Sequence, residues 1–183
     1  MAKKRKKARR GKGKPNRSGQ KSPSSAVGIR RAADQDAWEL VPPRCARERT
    51  EDMEEVEAML AAGEVDVATD ELRWLLNGCA CFINAHKMLG ELAAAENDFE
   101  LARAHFGHAY QEGLKAVRRV KLDQPLSYEI EANRPFFEAA KGLVYCLLKL
   151  DRKKLAREIV GQMIKCDPTD PLGLRQLVAD GGN

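Results

Sequence analysis

The 183-residue sequence predicts an all-α fold in which antiparallel helix pairs repeat along the chain behind a disordered basic tail. Two observations predict the repeat. In residues 83–114, small residues stand where two packed helices would approach closely, and larger apolar residues lie between them. The small residues are Gly90, Ala102 and Ala109, and the larger ones are Leu89, Phe99 and Phe106. The same pattern recurs at fixed intervals, and no stretch reads as a strand.

The pattern recurs when the sequence is aligned with itself at two offsets. A shift of 34 residues aligns 63–75 with 97–109, and a shift of 54 residues aligns 97–109 with 151–163. Apolar positions then fall on apolar positions. Ala68, Ala102 and Ala156 correspond, as do Leu72, Phe106 and Val160, and Leu75, Ala109 and Met163. The longer shift equals one repeat plus an insertion of 20 residues at about 116–134.

Domain boundaries follow from this repeat. We expect a disordered tail at 1–33, an extended junction at 34–50, a helical domain at 51–178 and a flexible end at 179–183. The repeats are expected at about 51–82, 83–116 and 135–168, followed by a capping helix at 171–178. Periodicity and cap residues place individual helices at about 51–63, 65–76, 81–95, 99–114, 135–150 and 153–166. Asp170 is expected to cap the last helix, with Pro171 at its first position.

The junction contains a short apolar stretch, residues 38–41, which Pro42 and Pro43 close. It is expected to lie against the helical domain as an extended segment with Trp38 as its anchor. The alternative is a linear motif exposed for a partner.

Charge is divided unevenly along the chain. Residues 1–33 contain 13 Lys and Arg residues and no acidic residue, whereas residues 34–183 contain 19 basic and 27 acidic residues. The basic part lacks large apolar residues over most of its length, which predicts disorder. A polyanion such as RNA or DNA is the expected ligand of its basic residues, without sequence preference because no aromatic residue is interleaved. These residues are Lys3, Lys4, Arg5, Lys6, Lys7, Arg9, Arg10, Lys12 and Lys14. The alternative is a solubilising tail.

Cysteine usage and hydropathy predict the compartment. The five cysteines are scattered through predicted helices and helix ends, so a disulfide framework is not expected and a reducing compartment is the simpler interpretation. No secretory signal and no apolar run long enough to span a membrane is found. The protein is therefore expected in the cytoplasm, or in the nucleus if the source is eukaryotic, and no membrane partner is expected.

The middle repeat resembles the tetratricopeptide repeat (TPR), whose pattern is W-x2-L-G-x2-Y…A-x3-F…P. It matches at Leu89, Gly90, Ala102 and Phe106, and it departs from the pattern with His86, Ala93 and Leu114 at the Trp, Tyr and Pro positions. The third copy keeps Ala156 and Pro168, whereas the first keeps mainly Ala68. Residues 133–136 and 168–175 are also similar to the C-terminal TPR segment of suppressor-of-tumorigenicity-type proteins and of bacterial proteins with the same ending.

The TPR resemblance implies a short right-handed solenoid whose first helices line a concave groove for a peptide or protein. The groove residues that it implies are Asn84, Lys87 and Glu91 in the second copy and Glu138, Lys141 and Tyr145 in the third. Some TPR proteins hold a peptide carboxylate with Lys and Asn pairs. Here Glu91 and Tyr145 occupy the Asn positions, which argues against that clamp. The alternative for Lys87 and Lys141 is a solvated helix face.

The sequence gives little indication of metal or catalytic chemistry. A metal site at Cys79 and Cys81, with His86, His105 and His108 in the same region, is not expected because the C-x-C spacing is short and no second pair follows. No cofactor motif and no nucleophile with a neighbouring base is found, so no enzyme is expected. Two hypotheses remain: a non-enzymatic adaptor or scaffold that binds a protein or peptide, and a nucleic-acid or ribonucleoprotein accessory protein anchored by the tail. The oligomeric state is left open.

Overall fold

The computed structural model describes residues 26–33 and 35–180, and these are mostly helical. Two strands, β1 (Gly28–Arg31) and β2 (Trp38–Val41), precede the helices. The helices are α1 (Arg44–Arg47), α2 (Thr50–Ala61), α3 (Val65–Gly78), α4 (Ile83–Ala95), α5 (Phe99–Val117), α6 (Arg134–Lys149), α7 (Lys153–Cys166) and α8 (Leu174–Asp180). A 3₁₀ turn, Glu131–Asn133, leads into α6. No helix in the described ranges has both the length and the apolar character to cross a membrane.

The two strands correct the expectation of an all-α fold. They form an antiparallel hairpin in which Ile29 pairs with Leu40, and Val27 and Leu40 are each only 2% exposed. Residues 26–33 are therefore part of the fold and not of a disordered tail, whereas residues 1–25 lie outside the described residues. The junction was predicted to be extended over residues 34–50. It is extended at β2, but α1 begins directly after Pro43, so the later part is helical.

Helix ends differ from the sequence prediction where local hydrogen bonds decide them. The expected first turn at Cys81 is not helical, because Phe82 N–H bonds back to Cys79 C=O (3.0 Å) and α4 starts at Ile83. Pro171 does not open the last helix. The Asp170 carboxylate accepts from the N–H groups of Leu174 (2.7 Å) and Arg175 (3.1 Å). The helix that it caps therefore begins at Leu174, three residues later than expected.

Phe106 of α5 packs into a space that two glycines leave open. A Cβ atom at Gly90 of α4 would lie 2.7 Å from Cδ1 of Phe106, and one at Gly142 of α6 would lie 2.5 Å from its Cζ. Both separations are far below van der Waals contact, so only glycine fits at either position with the ring in place. The Phe106 ring thus connects three consecutive helices in the core.

The expected insertion is an ordered strap between α5 and α6. Pro125 C=O accepts from Trp38 N–H (2.8 Å), and Leu126, which is fully buried, donates its N–H to Cys166 C=O (2.8 Å). Asn133 closes the strap: its Oδ1 accepts from Leu40 N–H (2.8 Å), while its Nδ2 donates to Trp38 C=O (2.9 Å) and Ser127 C=O (2.8 Å). The strap therefore joins the hairpin to the ends of α6 and α7.

Candidate functional site

A cleft of about 650 Å³ lies between α4 and α6 and is bordered by the segment that carries α8. Four of the six predicted groove residues line it: Glu91 from α4, and Glu138, Lys141 and Tyr145 from α6. The remaining lining residues are Ala94, Ala95, Phe106, Tyr128, Gly142, Leu172 and Leu177. We call this space the α4/α6 cleft.

The α4/α6 cleft is apolar at its base and polar at its rim. Ala94, Ala95 and Gly142 lack long side chains, so the cleft reaches inward to the ring of Phe106. Tyr145 stands at the rim with 39% of its surface exposed, and its ring meets Phe99 edge to face at 5.9 Å. An aromatic side chain held in this way loses little conformational entropy when it makes a further contact.

Lys87 has a different environment from either alternative that the sequence suggested. Its Nζ lies 3.2 Å from Oε2 of Glu138 and 3.4 Å from Oε1 of Glu91, and its side chain is 16% exposed. Tyr128 donates its hydroxyl to the other carboxylate oxygen of Glu138 (3.1 Å). Lys87 is thus neither solvated nor available as a single positive charge, because two carboxylates of the cleft already balance it.

Burial raises the pKa of the Glu91 carboxyl, and the positive charge of Lys87 opposes that rise. Burial, followed by the neighbouring Glu138 carboxylate, raises the pKa of Tyr128, so its hydroxyl remains protonated and able to donate. Lys141 is exposed at the rim. The charged side chains that line the cleft, together with Lys87, are therefore two carboxylates and two ammonium groups. Two further cations lie beside its aromatic rings: Lys149 at 5.3 Å from Tyr145 and Arg134 at 5.9 Å from Tyr128.

Asn84 is separated from the other predicted groove residues. It lines a small cavity of about 60 Å³ together with Val27, Leu40 and Pro43, beside the hairpin. The hairpin covers the beginning of α4, so only the later turns of this helix face the cleft. The repeat pattern did not predict that the hairpin would cover this part of α4.

A second and larger cleft, of about 830 Å³, lies between α5 and α7 and was not predicted. Its lining includes Arg103, Lys115, Arg118 and Lys165, with Glu158 opposite in charge. A Cβ atom at Gly107 or Gly161, which also line it, would meet nothing within 4 Å. We call it the α5/α7 cleft. The TPR resemblance implies a groove lined by the first helix of each pair. This cleft is formed instead by α5 and α7, the second helices of their pairs.

Three histidines meet between α4 and α5. Nε2 of His86 is 3.1 Å from Ala80 C=O, and Nδ1 of His86 is 3.3 Å from Nδ1 of His105. Because a carbonyl only accepts, His86 carries its proton on Nε2, and its Nδ1 accepts from His105. Burial lowers the pKa of His86 to about 4, and His108 stacks on the ring at 5.1 Å. His86 is thus neutral and buried between α4 and α5.

Three cysteines form a cluster that the sequence did not predict. Cys45 and Cys79 are joined by a disulfide, so the expectation of a chain without disulfides is wrong for this pair. The three sulfur atoms of Cys45, Cys79 and Cys81 lie within 4.8 Å of one another. The pair is separated by 34 residues in sequence, which equals the predicted repeat length and is the one sequence signal that could have joined Cys45 to the C-x-C segment.

The other two cysteines behave as small core residues, as the sequence predicted. Cys146 and Cys166 are buried, and burial raises the pKa of each thiol to about 11. Both therefore stay protonated near neutral pH.

The nine predicted polyanion-binding residues, from Lys3 to Lys14, lie outside the described residues. No protein-family model matches the chain, and no curated protein or solved structure is significantly similar to it.

Proposed function

We propose that this chain is a non-enzymatic, TPR-like interaction module that holds an extended peptide of a protein partner in the α4/α6 cleft. The observation that carries the proposal is the convergence of Glu91, Glu138, Lys141 and Tyr145 on one cleft. These residues come from two helices that are distant in sequence. The hydrogen bond from Lys87 to Glu138, which joins the same two helices, spans 51 positions.

The helix ends support a repeated unit. Gly63, Asn97 and Asp151, which correspond under the 34- and 54-residue shifts, have φ angles of 79°, 63° and 54°. Each of the three donates its N–H to the C=O of the residue three positions earlier. The residue that follows each one donates its N–H to the C=O five positions before itself, and these second bonds measure 2.9, 2.9 and 2.7 Å. This is the Schellman arrangement that ends a helix through a left-handed residue. The corresponding positions Ala68, Ala102 and Ala156 are all fully buried.

The chemistry of the α4/α6 cleft indicates the kind of peptide. Its small-residue base leaves room for an aliphatic side chain to reach the ring of Phe106, and Tyr145 offers an apolar face beside it. The oxygens of Glu91 and Glu138 can accept peptide N–H groups, while Lys141 can pair with an acidic side chain. Because Lys87 and Lys141 balance the two lining carboxylates, apolar contacts should dominate affinity. Lys149 and Arg134 beside the cleft should add a preference for acidic peptides, with a modest salt dependence.

A peptide library displayed on phage and selected on the immobilised protein tests this proposal. We expect the affinity of an enriched peptide to fall at least about ten-fold with Tyr145→Ala, because an aromatic anchor of an interface contributes more than about 1.4 kcal/mol. Lys141→Glu should also weaken peptides that carry an acid. Both measurements are made by fluorescence anisotropy.

The matched controls are Leu155→Ala and Lys165→Glu in the α5/α7 cleft, since Leu155 is 43% exposed and thus similar to Tyr145. Affinity should be unchanged in both. If the selection enriches no peptide, or if the control variants weaken binding as much as the cleft variants do, the proposal is refuted.

We propose that the basic tail adds a second contact, to RNA or DNA. The support is the division of charge: residues 1–25, which precede the hairpin, contain 11 basic and no acidic residues. The full chain should bind a labelled RNA oligonucleotide, with affinity falling about a thousand-fold or more between 50 and 200 mM salt. The matched truncation is 26–183, because Val27 and β1 belong to the fold. If this truncation binds the RNA as well as the full chain does, the tail is not the contact.

A further inference from the structure

Three separate parts of the chain bring the cysteine cluster together. Cys45 lies in α1, Cys79 follows the last turn of α3, and Cys81 lies in the turn before α4. The turn is fixed by two hydrogen bonds of Cys79: its N–H donates to Leu75 C=O (2.9 Å), and its C=O accepts from Phe82 N–H (3.0 Å). The backbone thus holds Cys79 and Cys81 in place, independently of the disulfide.

We propose that the thiolates of Cys45, Cys79 and Cys81 bind a zinc ion when the Cys45–Cys79 disulfide is reduced. The sulfur atoms lie within 4.8 Å of one another, whereas sulfur atoms at the corners of a tetrahedral zinc site with Zn–S bonds of about 2.3 Å lie about 3.8 Å apart. Once the disulfide is reduced, rotation of the side chains must move the Sγ atoms of Cys45 and Cys79 apart, while Cys81 already lies within reach of both. The inference is independent of the peptide-binding proposal.

The reaction has two balanced steps. A dithiol reductant first transfers two electrons and two protons to the disulfide, which yields the thiols of Cys45 and Cys79 and an oxidised reductant. Zinc then replaces one proton on each of the three sulfurs, so three protons are released to solvent. Since three thiolates and Zn²⁺ carry a net charge of −1, a positive neighbour stabilises the product.

The surroundings of the cluster provide such a neighbour. Nη2 of Arg49 would lie 3.2 Å from a Cβ atom at Gly78, so the guanidinium rests against the residue that precedes Cys79. The same guanidinium pairs with Asp52 (3.2 Å) and covers the Trp74 ring at 4.1 Å, so the cluster shares its charge with Asp52. The two nitrogens of His86 are directed at Ala80 C=O and His105, which leaves His86 to orient the C-x-C turn and not to ligate the ion. Cys45 is half-buried while the other two are buried, so an ion reaches the cluster from the side of α1. The fourth position is left to water.

Cobalt(II) tests the site in the full chain, because a cobalt–thiolate bond gives a charge-transfer absorption band. We expect the chain reduced with a phosphine to show this band, with saturation at one cobalt per chain and loss of the band when zinc is added. The oxidised chain should show no band. Zinc affinity, measured by competition with a chromophoric chelator, should fall at least about ten-fold in Cys45→Ser and in Cys81→Ser.

Cys146→Ser and Cys166→Ser are the matched controls, because both thiols are buried elsewhere in the core. Each should leave the cobalt band and the zinc affinity unchanged. Circular dichroism checks that every variant is folded, and the comparison of oxidised with reduced wild-type chain needs no substitution. The proposal is overturned if the reduced wild-type chain gives no charge-transfer band, or if the band and the zinc affinity survive Cys81→Ser in a folded protein.

Discussion

Asn133→Ala is expected to lower the free energy of unfolding by about 3–4 kcal/mol, measured by urea denaturation. The side chain is fully buried and makes three hydrogen bonds, which join β2, the strap and the beginning of α6. Its removal leaves the N–H of Leu40 and the C=O groups of Trp38 and Ser127 without this partner. A buried polar group that loses its partner costs about 1–3 kcal/mol, and water entering the space would recover part of the loss.

Asn77→Ala is the control for this prediction, because Asn77 is exposed on α3. It should change stability by less than about 0.5 kcal/mol. Hydrogen exchange adds a local readout, in which the Leu40 amide loses protection in Asn133→Ala. If Asn133→Ala costs no more than the control, Asn133 does not pin the hairpin to the helices.

Phe106→Ala is expected to lower the free energy of unfolding by about 3–5 kcal/mol, the usual cost of removing a buried aromatic side chain. The ring is 3% exposed and fills the space between Gly90 and Gly142. In the wild-type chain, Gly142→Ala should cost about 1–3 kcal/mol, because the new methyl group would overlap the ring. In the Phe106→Ala background that overlap is absent, and the same change should be neutral or stabilising.

Gly107→Ala is the control for Gly142→Ala, since Gly107 lies in a helix and a Cβ atom there meets nothing within 4 Å. It should raise stability by about 0.5–1 kcal/mol through helix propensity alone. The double-mutant cycle isolates the contact between the two sites. Additive effects of Phe106→Ala and Gly142→Ala would show that the ring does not occupy this space.

Local rules predicted the helical part of the fold well. Periodicity placed all the longer helices, and the shifts of 34 and 54 residues identified positions that are buried in each copy, such as Ala68 and Ala156. Four of the six residues that the sequence analysis placed in a groove line the α4/α6 cleft. The helix positions follow from spacing within and between helices, which the sequence displays directly, whereas the groove residues were implied by the TPR resemblance.

Contacts between distant segments could not be predicted in this way. The strand Gly28–Arg31 is four residues long and lies next to a basic run, so its pairing depends on the apolar partner that β2 supplies. Lys87 is neutralised by Glu138, which is 51 residues away, and Cys45 meets Cys79 only through the packing of α1 against the end of α3. No local pattern marks such pairs.

Amide chemical-shift mapping by NMR, with a selected peptide added to the full chain, is the most direct test of where the partner binds. We predict that the largest shifts fall on Glu91, Lys141 and Tyr145, with smaller ones at Leu172 and Leu177 across the α4/α6 cleft. The amides of Gly107 and Gly161, in the α5/α7 cleft, should not move. Shifts that concentrate on these two glycines, with none at Lys141 or Tyr145, would contradict the proposed binding site.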